Sequence, residues 1–297
     1  MRMKEKLCIW SMALVMALAM AGCKGNNNNP DDPNNPQNPE NPQNLIAGAF
    51  SVDRTQSQIK QVFFSKGNLQ YNSSSKVWRF AENQMDVIGG TSEKINTQDG
   101  YIDMFGWGTG QNPTSNEANE SFVDWGTNAI TNGGGDNWYT LTNDEWKYLI
   151  LYRKNAQNLF ALGTVNGIGG LILLSDDWST PDGITFVPSA TKGLENNHGG
   201  GGTDGYLDPN EANHFTDNVY TLQQWSIIEK GGGVFLPFNP YIEELVSDGI
   251  YWSADKSYLS QNYAKALVFS ERYLGESFIP QERKASVRLV KDASTAK

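Results

Sequence analysis

Cysteine is nearly absent from this chain, which has only Cys8 and Cys23 among 297 residues. Cys8 lies in an apolar stretch near the N-terminus, so a disulfide within the body of the protein is excluded. Histidine is almost as scarce, and His198 and His214 leave few candidates for a Ser–His catalytic set or a zinc site. Stability must come from an apolar core, for which about 250 residues are sufficient.

Positive charge is also in short supply, because 23 Lys and Arg face 33 Asp and Glu, a net charge of −10. Without residues 1–22 the chain has 20 Lys and Arg against 32 Asp and Glu, a net charge of −12. An acidic chain of this kind is a poor partner for nucleic acid or for anionic lipid headgroups. Any membrane attachment is therefore expected through acyl chains, of which several anchor a protein firmly.

Residues 1–22 have the layout of a secretory signal peptide: three basic residues, an apolar run at 7–21 and small residues at the end. The run is shorter than the roughly 20 residues of a membrane-spanning helix. Cys23 follows Ala21-Gly22 directly. This order is similar to the lipobox of bacterial lipoproteins, in which the Cys carries lipid such as palmitate and becomes the first mature residue. The alternative is an ordinary signal peptide with an incidental Cys.

Residues 23–44 comprise the lipidated Cys and a tract of Asn and Pro without an apolar side chain. Such a tract cannot bury a core, and the composition predicts a disordered spacer. Extended at about 3.1 Å per residue, it reaches roughly 60 Å from a membrane. Lys24 is not the Asp that marks inner-membrane retention in lipoprotein sorting, so an outer-membrane location, with display at the cell surface, is expected. The remaining residues, 45–297, are predicted to form one domain.

That domain combines short strand-like runs with two helix starts. Thr142-Asn143-Asp144-Glu145 and Thr221-Leu222-Gln223-Gln224 are both capping boxes, followed by apolar residues at helical spacing. Strands are predicted at 59–64, 68–71, 77–80, 171–174, 233–238, 250–254, 264–269 and 286–291, from their content of β-branched and aromatic residues. Strands, two helices and more strands predict an α+β fold.

Several segments together resemble a known group of proteins. They are VFFSKGNLQY at 62–71, WRFAENQ at 78–84, DMFGWGTG at 103–110, LTNDEWKYLI at 141–150, NGIGGLILLSDDW at 166–178, GGVFLPF at 232–238, YWSA at 251–254 and SVRLVK at 286–291. In this order they resemble the Bacteroidetes lipoproteins whose C-type lectin-like domain is related to formylglycine-generating enzymes and to the Fibrobacter major paralogous domain.

The resemblance implies a C-type lectin-like fold in which two helices flank small antiparallel sheets, the terminal strands pair, and long loops occupy one end. Formylglycine-generating enzymes act through cysteines, which this domain lacks, so the resemblance implies the scaffold without the reaction. We therefore expect no enzymatic activity. Asp176-Asp177 are expected to cap backbone groups rather than act as a catalytic pair.

Calcium is the candidate ion, since it takes oxygen ligands from carboxylates, amides and carbonyls. Asp204, Asp208 and Asn210 concentrate such groups in one acidic loop, and relatives implied by the resemblance often hold calcium. The spacing does not fit an EF-hand, so a hydrophilic loop without an ion is the alternative. No other cofactor is expected.

The stretch 251–283 is rich in Tyr, Ser and Asn, which also dominate antibody paratopes. In the related proteins this region forms the ligand face, in some of them diversified by a retroelement. The ligand-binding candidates are Trp252, Asp255, Tyr258, Asn262, Tyr263, Arg272 and Tyr273, with Trp252 as packing support beneath the loops. A polar surface without a ligand is the alternative.

These observations predict a non-catalytic, lipid-anchored cell-envelope protein that binds a protein or glycan ligand through C-terminal loops. A structural subunit of a surface complex or appendage is the alternative, and a glycan hydrolase is the less favoured one. Membrane contact is expected through the lipid alone, and nucleic acid is not expected as a partner.

Overall fold

A computed structural model of the chain describes residues 44–55, 58–90, 95–191, 203–208, 210–239 and 248–295, without the side chains of Thr203 and Asp204. The signal peptide at 1–22, Cys23, residues 24–43 of the spacer and His198 lie outside the described residues. Among the described residues, no helix is long and apolar enough to cross a membrane.

The fold is mostly β, with 36% strand and 11% helix. The described strands are, in chain order, β1 (Phe50–Val52), β2 (Lys60–Phe64), β3 (Leu69–Asn72), β4 (Val77–Phe80), β5 (Tyr101–Ile102), β6 (Met104–Phe105), β7 (Trp138–Thr140), β8 (Phe160–Val165), β9 (Ile168–Leu173), β10 (Thr203–Gly205), β11 (Val219–Tyr220), β12 (Val234–Pro237), β13 (Asp248–Lys256), β14 (Tyr263–Ser270), β15 (Tyr273–Pro280), β16 (Ala285–Ser286) and β17 (Leu289–Asp292).

The described helices are α1 (Asn143–Lys147) and α2 (Leu222–Lys230). Both predicted capping boxes are confirmed: the Thr142 hydroxyl accepts from the Glu145 N–H, and Thr221 does the same for Gln224. The α+β class with two helices flanking the sheets is wrong, however. With five and nine residues, the helices are too short to cover a sheet. After α1 the chain continues only as one π-helical turn.

Four sheets are present among the described residues. Their strand orders are β1-β2-β17-β7, β10-β15-β14-β13-β16-β6, β11-β8-β9-β12 and β4-β3-β5. The pairing of β17 with β2 joins the two ends of the domain, as expected. The predicted strand at 286–291 is instead divided between two sheets, because β16 pairs with β13 and β6 whereas β17 pairs with β2 and β7.

Two half-buried carboxylates satisfy backbone N–H groups of two edge strands. Asp176 accepts hydrogen bonds from the N–H of Ser51 on β1, at 2.7 Å, and pairs with Arg153 at 3.1 Å. Asp124 accepts from the N–H of Thr140 on β7, at 2.9 Å. Blocked edges of this kind prevent further strand pairing. The expectation that Asp176 caps backbone groups is confirmed.

Aromatic packing dominates the core. Trp107, Trp125, Trp146, Trp225 and Trp252 are each no more than 1% exposed. They are divided among three apolar clusters, which the sheets enclose. Side chains of the C-terminal strands β13, β14 and β15 belong to two of these clusters, so close packing holds the three strands in place.

Candidate binding site

The seven ligand-binding candidates lie along β13, β14, β15 and their connections, but the structure does not bring them together. Asn262 and Tyr263 are at the start of β14, whereas Arg272 precedes β15 at the other end. The eight residues of β14 run from one end to the other, a span of roughly 23 Å at about 3.3 Å per residue. We call residues 257–263 the Tyr258 end and residues 270–273 the Arg272 end.

The Tyr258 end carries exposed apolar surface. Tyr258 is 77% exposed, Leu259 59% and Tyr263 38%. Beside it lies a cleft of about 610 Å³. Its lining residues are Glu120, Lys256, Ser257, Tyr258, Leu259, Ser260 and Gln261. Large apolar side chains clustered on a surface are typical of an interaction site.

The ring of Tyr258 is held against the outer face of the β14–β15 hairpin. It packs edge-on against Phe278, with 5.3 Å between ring centroids and perpendicular planes. The ammonium of Lys265 lies 5.5 Å from the Tyr258 centroid and 5.8 Å from that of Phe278. These contacts hold Tyr258 in one orientation although most of its surface is free, an arrangement suited to binding.

Hydrogen bonds within the Tyr258 end close its loop. The N–H of Ser257 donates to the carbonyl of Tyr263, at 2.9 Å, and the N–H of Leu259 donates to the hydroxyl of Ser257, at 3.0 Å. The ammonium of Lys256 donates to the carbonyl of Glu120, at 3.1 Å, and so fixes a distant segment beside the loop. Sequence reasoning missed Leu259, Lys256 and Glu120, for which no motif gives a signal.

Two of the candidates have structural roles. Trp252 is 1% exposed and its indole N–H donates to the carbonyl of Phe105, at 2.6 Å, which fits the expected packing support. The carboxylate of Asp255 accepts from the N–H of Asn143 at the start of α1, at 2.5 Å. Burial raises the pKa of Asp255, and the Asn143 N–H opposes that rise. Asp255 therefore holds α1 against β13.

The Arg272 end is a tight polar turn. Asn213 donates its side-chain amide to the carbonyl of Glu271, and the Arg272 N–H donates to the Ser270 hydroxyl, at 3.4 Å. Tyr273 is half-buried and its hydroxyl donates to the carbonyl of Glu276, at 3.3 Å. Of this end, Arg272 is the ligand candidate whose side chain is exposed.

A second cleft, of about 700 Å³, was not anticipated. Its lining residues are Arg54, Lys60, Phe122, Val123, Asp124, Thr127, Tyr139, Thr140, Thr142 and Ala254. The buried carboxylate of Glu145 pairs there with Lys60 at 3.1 Å and with Arg54 at 3.6 Å. Burial raises the pKa of Asp124, but its oxygens accept from Gly126 and Thr140. Both acids are thus engaged in structural contacts.

The proposed calcium loop is described in part. The side chain of Asp204 lies outside the described residues. The Asp208 carboxylate accepts from the N–H of Asn210, at 2.8 Å, which closes a local turn. No group of three or more His, Cys, Asp or Glu able to hold a metal is found among the described residues. Calcium binding stays a prediction.

Comparisons with models of protein families, with curated proteins and with solved structures gave no match. The resemblance to lectin-like lipoproteins therefore stays a prediction based on the segments quoted above. The site itself must be interpreted from its own geometry.

Proposed function

We propose that this chain is a non-catalytic, lipid-anchored binding protein of the outer membrane, and that it binds a protein or glycan ligand at the Tyr258 end. The anchor is Cys23 after its signal peptide, and the spacer holds the domain away from the lipid. Acidic charge and a domain without cysteine support a binding role over nucleic-acid recognition or thiol chemistry.

The observation that carries the proposal is the exposure of Tyr258 at 77%, on a loop whose conformation is fixed by internal hydrogen bonds. Tyr offers a large, rigid contact area at low entropic cost. Residues of this type are over-represented among the few that dominate binding energy. The adjoining cleft offers polar side chains beside this aromatic anchor.

The two ends of β14 allow an experiment with a matched control. The wild-type protein and the variants Tyr258→Ala and Arg272→Ala are applied to arrays of purified cell-surface proteins and of glycans. We expect Tyr258→Ala to weaken binding at least tenfold, whereas Arg272→Ala leaves it unchanged. Equal binding by wild type and Tyr258→Ala contradicts the assignment of the site.

The lipid anchor is tested separately. Cys23→Ser is expected to abolish incorporation of labelled palmitate and to release the protein from the membrane fraction. Protease treatment of intact cells then reports whether the domain is displayed outside. Palmitate incorporation into Cys23→Ser contradicts the anchor.

A further inference from the structure

The second cleft, of about 700 Å³, has no part in the proposed function. It shares no lining residue with the cleft at the Tyr258 end. Phe122, Val123 and Ala254 make part of its wall apolar. Its size lies in the range of pockets that hold small organic molecules, in which a few polar groups select the ligand. The charged and polar groups of this cleft therefore indicate the class of molecule that fits it.

Arg54 supplies the cleft with a cation that is incompletely paired. Its side chain is 56% exposed, and among the described residues its guanidinium makes one ion pair, to Glu145 at 3.6 Å. That carboxylate is already paired with Lys60 at 3.1 Å, and it accepts from the N–H and the hydroxyl of Thr142, at 2.8 and 3.0 Å. Because a guanidinium has five N–H donors in a planar fork, Arg54 can bind the carboxylate of a ligand with two of them.

Asp124 supplies an acid with an acceptor position left. Its Oδ1 accepts from the N–H of Gly126 and the hydroxyl of Thr140, at 3.0 and 2.9 Å, and its Oδ2 accepts from the N–H of Thr140, at 2.9 Å. A carboxylate offers about four lone-pair positions, so Oδ2 retains one for a donor from a ligand. Burial raises the pKa of Asp124, whereas these hydrogen bonds and the charge of Arg54 oppose that rise. The two opposite charges therefore lie close enough to interact, and both residues line one cleft.

Tyr139 adds a hydroxyl that no residue in the described part of the chain satisfies. The hydroxyl is buried and without a hydrogen-bond partner there, whereas the ring contacts the ammonium of Lys60, 4.3 Å from its centroid. Buried polar groups nearly always have a partner, so an unpaired one beside a cleft indicates a partner from outside the chain. A tyrosine hydroxyl can donate to a carboxylate, which is also the group that Arg54 is suited to bind.

We propose that this cleft binds a small zwitterion, a free amino acid or a short peptide, with its carboxylate on Arg54 and Tyr139 and its ammonium on Asp124. The opposite charges of the cleft match the two charges of such a molecule. A simple anion would meet a like charge at Asp124, and a simple cation would meet one at Arg54. The apolar wall favours an apolar side chain on the ligand. The site is separate from the Tyr258 end, so either assignment can fail alone.

Ligands that lack one charge test this assignment. Isothermal titration calorimetry is done on the purified protein with leucine and with leucyl-leucine, each in its free form, N-acetylated, and as the C-terminal amide. We expect at least one free ligand to bind with a dissociation constant below about 1 mM. Its N-acetylated form has no ammonium and its amide has no carboxylate, so each is expected to bind about tenfold more weakly, through loss of one charge-assisted contact.

The tighter of the two free ligands shows whether the site takes an amino acid or a peptide. Absence of binding by both free ligands overturns the proposal. Equal binding by a free ligand and by either of its capped forms overturns the zwitterion as the ligand class.

Arg54→Met tests whether the ligand lies in this cleft. The variant keeps an aliphatic stem and removes the charge, and because Arg54 is exposed, the melting temperature is expected to stay the same. We expect the variant to bind the free ligand about tenfold more weakly and to lose the preference for that ligand over its amide. Equal affinity of the wild-type protein and Arg54→Met overturns the site.

Tyr139→Phe separates a binding role of the hydroxyl from a structural one. It removes a hydroxyl that has no partner among the described residues, so affinity is expected to fall about threefold without a fall in melting temperature. The matched control is Tyr251→Phe, because the buried Tyr251 hydroxyl donates to the Pro237 carbonyl and accepts from Asn68, both at 3.1 Å. The control is expected to lower the melting temperature and to leave affinity unchanged. Unchanged affinity in Tyr139→Phe overturns the contact with the hydroxyl.

Discussion

The Tyr258 end and the Arg272 end terminate the same strand, β14, but they are held by different means. At the Tyr258 end, the buried side-chain amide of Gln281 donates to the carbonyls of Gln261 and Tyr263, and Lys256 donates to the carbonyl of Glu120. At the Arg272 end, a short turn closes the hairpin directly, since Ser270 is paired with Tyr273. Apolar packing under the turn, by Phe269 against Tyr251 and Phe238, supports it.

The difference shows which of the two connections needs contacts beyond its own strand pair to keep its conformation. A two-residue turn needs no distant support, because its ends are held by the strand pairing itself. The connection 257–262 is longer, and it is ordered both by its own hydrogen bonds and by those of the Gln281 side chain. A loop that is both externally held and apolar at its tip is a better candidate for recognition than a turn that is merely polar.

The largest expected effect is a loss of stability when a buried aromatic residue of β13 or β14 is removed. Trp252→Ala is expected to lower the free energy of unfolding by about 3–5 kcal/mol, because it empties a fully buried site and breaks the bond to the Phe105 carbonyl. Phe269→Ala, next to the Arg272 end, is expected to lower the free energy of unfolding by a similar amount. Urea denaturation measures both. Trp252→Ala with a cost below about 1 kcal/mol would show that the core beneath the Tyr258 end is loosely packed.

Gly249 tests the packing of the Arg272 end. A Cβ added there would lie 2.3 Å from ring atoms of Phe269, so Gly249→Ala is expected to cost about 1–3 kcal/mol. Phe269→Leu in the same chain should recover part of this loss, because the smaller side chain makes room. Thermal denaturation of the two single variants and the double variant gives the coupling. Simple additivity of the two costs contradicts the contact.

Lys284 gives the stability of the protein a pH dependence. It is 4% exposed, donates to the carbonyl of Ser115, and burial lowers its pKa from 10.5 to about 8. Between these values the unfolded chain binds more protons than the folded protein, so stability rises with pH in this window. Lys284→Met is expected to be about 1 kcal/mol more stable near neutral pH and to lack the rise.

Denaturant titrations at several pH values measure this effect. Lys291→Met is the control: burial lowers the Lys291 pKa too, but Lys291 lies in β17, outside both ends. A rise in stability with pH that persists unchanged in Lys284→Met contradicts the assignment to Lys284.

The smallest expected effect is on stability at the two exposed tips. Tyr258→Ala and Arg272→Ala are each expected to change the free energy of unfolding by less than about 0.5 kcal/mol, because both side chains are exposed. The two variants should then differ in binding alone. A larger loss of stability in Tyr258→Ala would mean that its contact with Phe278 supports the fold rather than a ligand.

Local signals in the sequence were reliable where they depend on neighbouring residues. The capping boxes at Thr142 and Thr221 place both helix starts correctly, because a cap is completed within four residues. The β-rich runs place β2, β4 and β12 within one or two residues. The size of the helices was not accessible in this way: α1 ends after five residues although Leu149 and Ile150 keep helical spacing.

The sequence treated the candidate site as one face, and the structure shows that it is not. Tyr258, Asn262 and Tyr263 belong to one end of β14, and Arg272 to the other, because strand pairing separates residues that are close in sequence. The predicted ligand residue Asp255 accepts a bond from Asn143, which is 112 positions away. Such partners leave no trace in local composition.

By itself, the sequence determined the features that short segments carry: the acidic charge, the helix starts and some of the strands, without β8 and β15. The signal peptide and the lipid on Cys23 stay predictions. The tertiary structure alone decided that Tyr258 and Leu259 are both exposed, and that Gln281 bonds their loop at Gln261 and Tyr263. The physical reason is that exposure and bracing depend on contacts between residues far apart in the chain, such as Gln281 with Asn119. These contacts form only when the sheets have assembled.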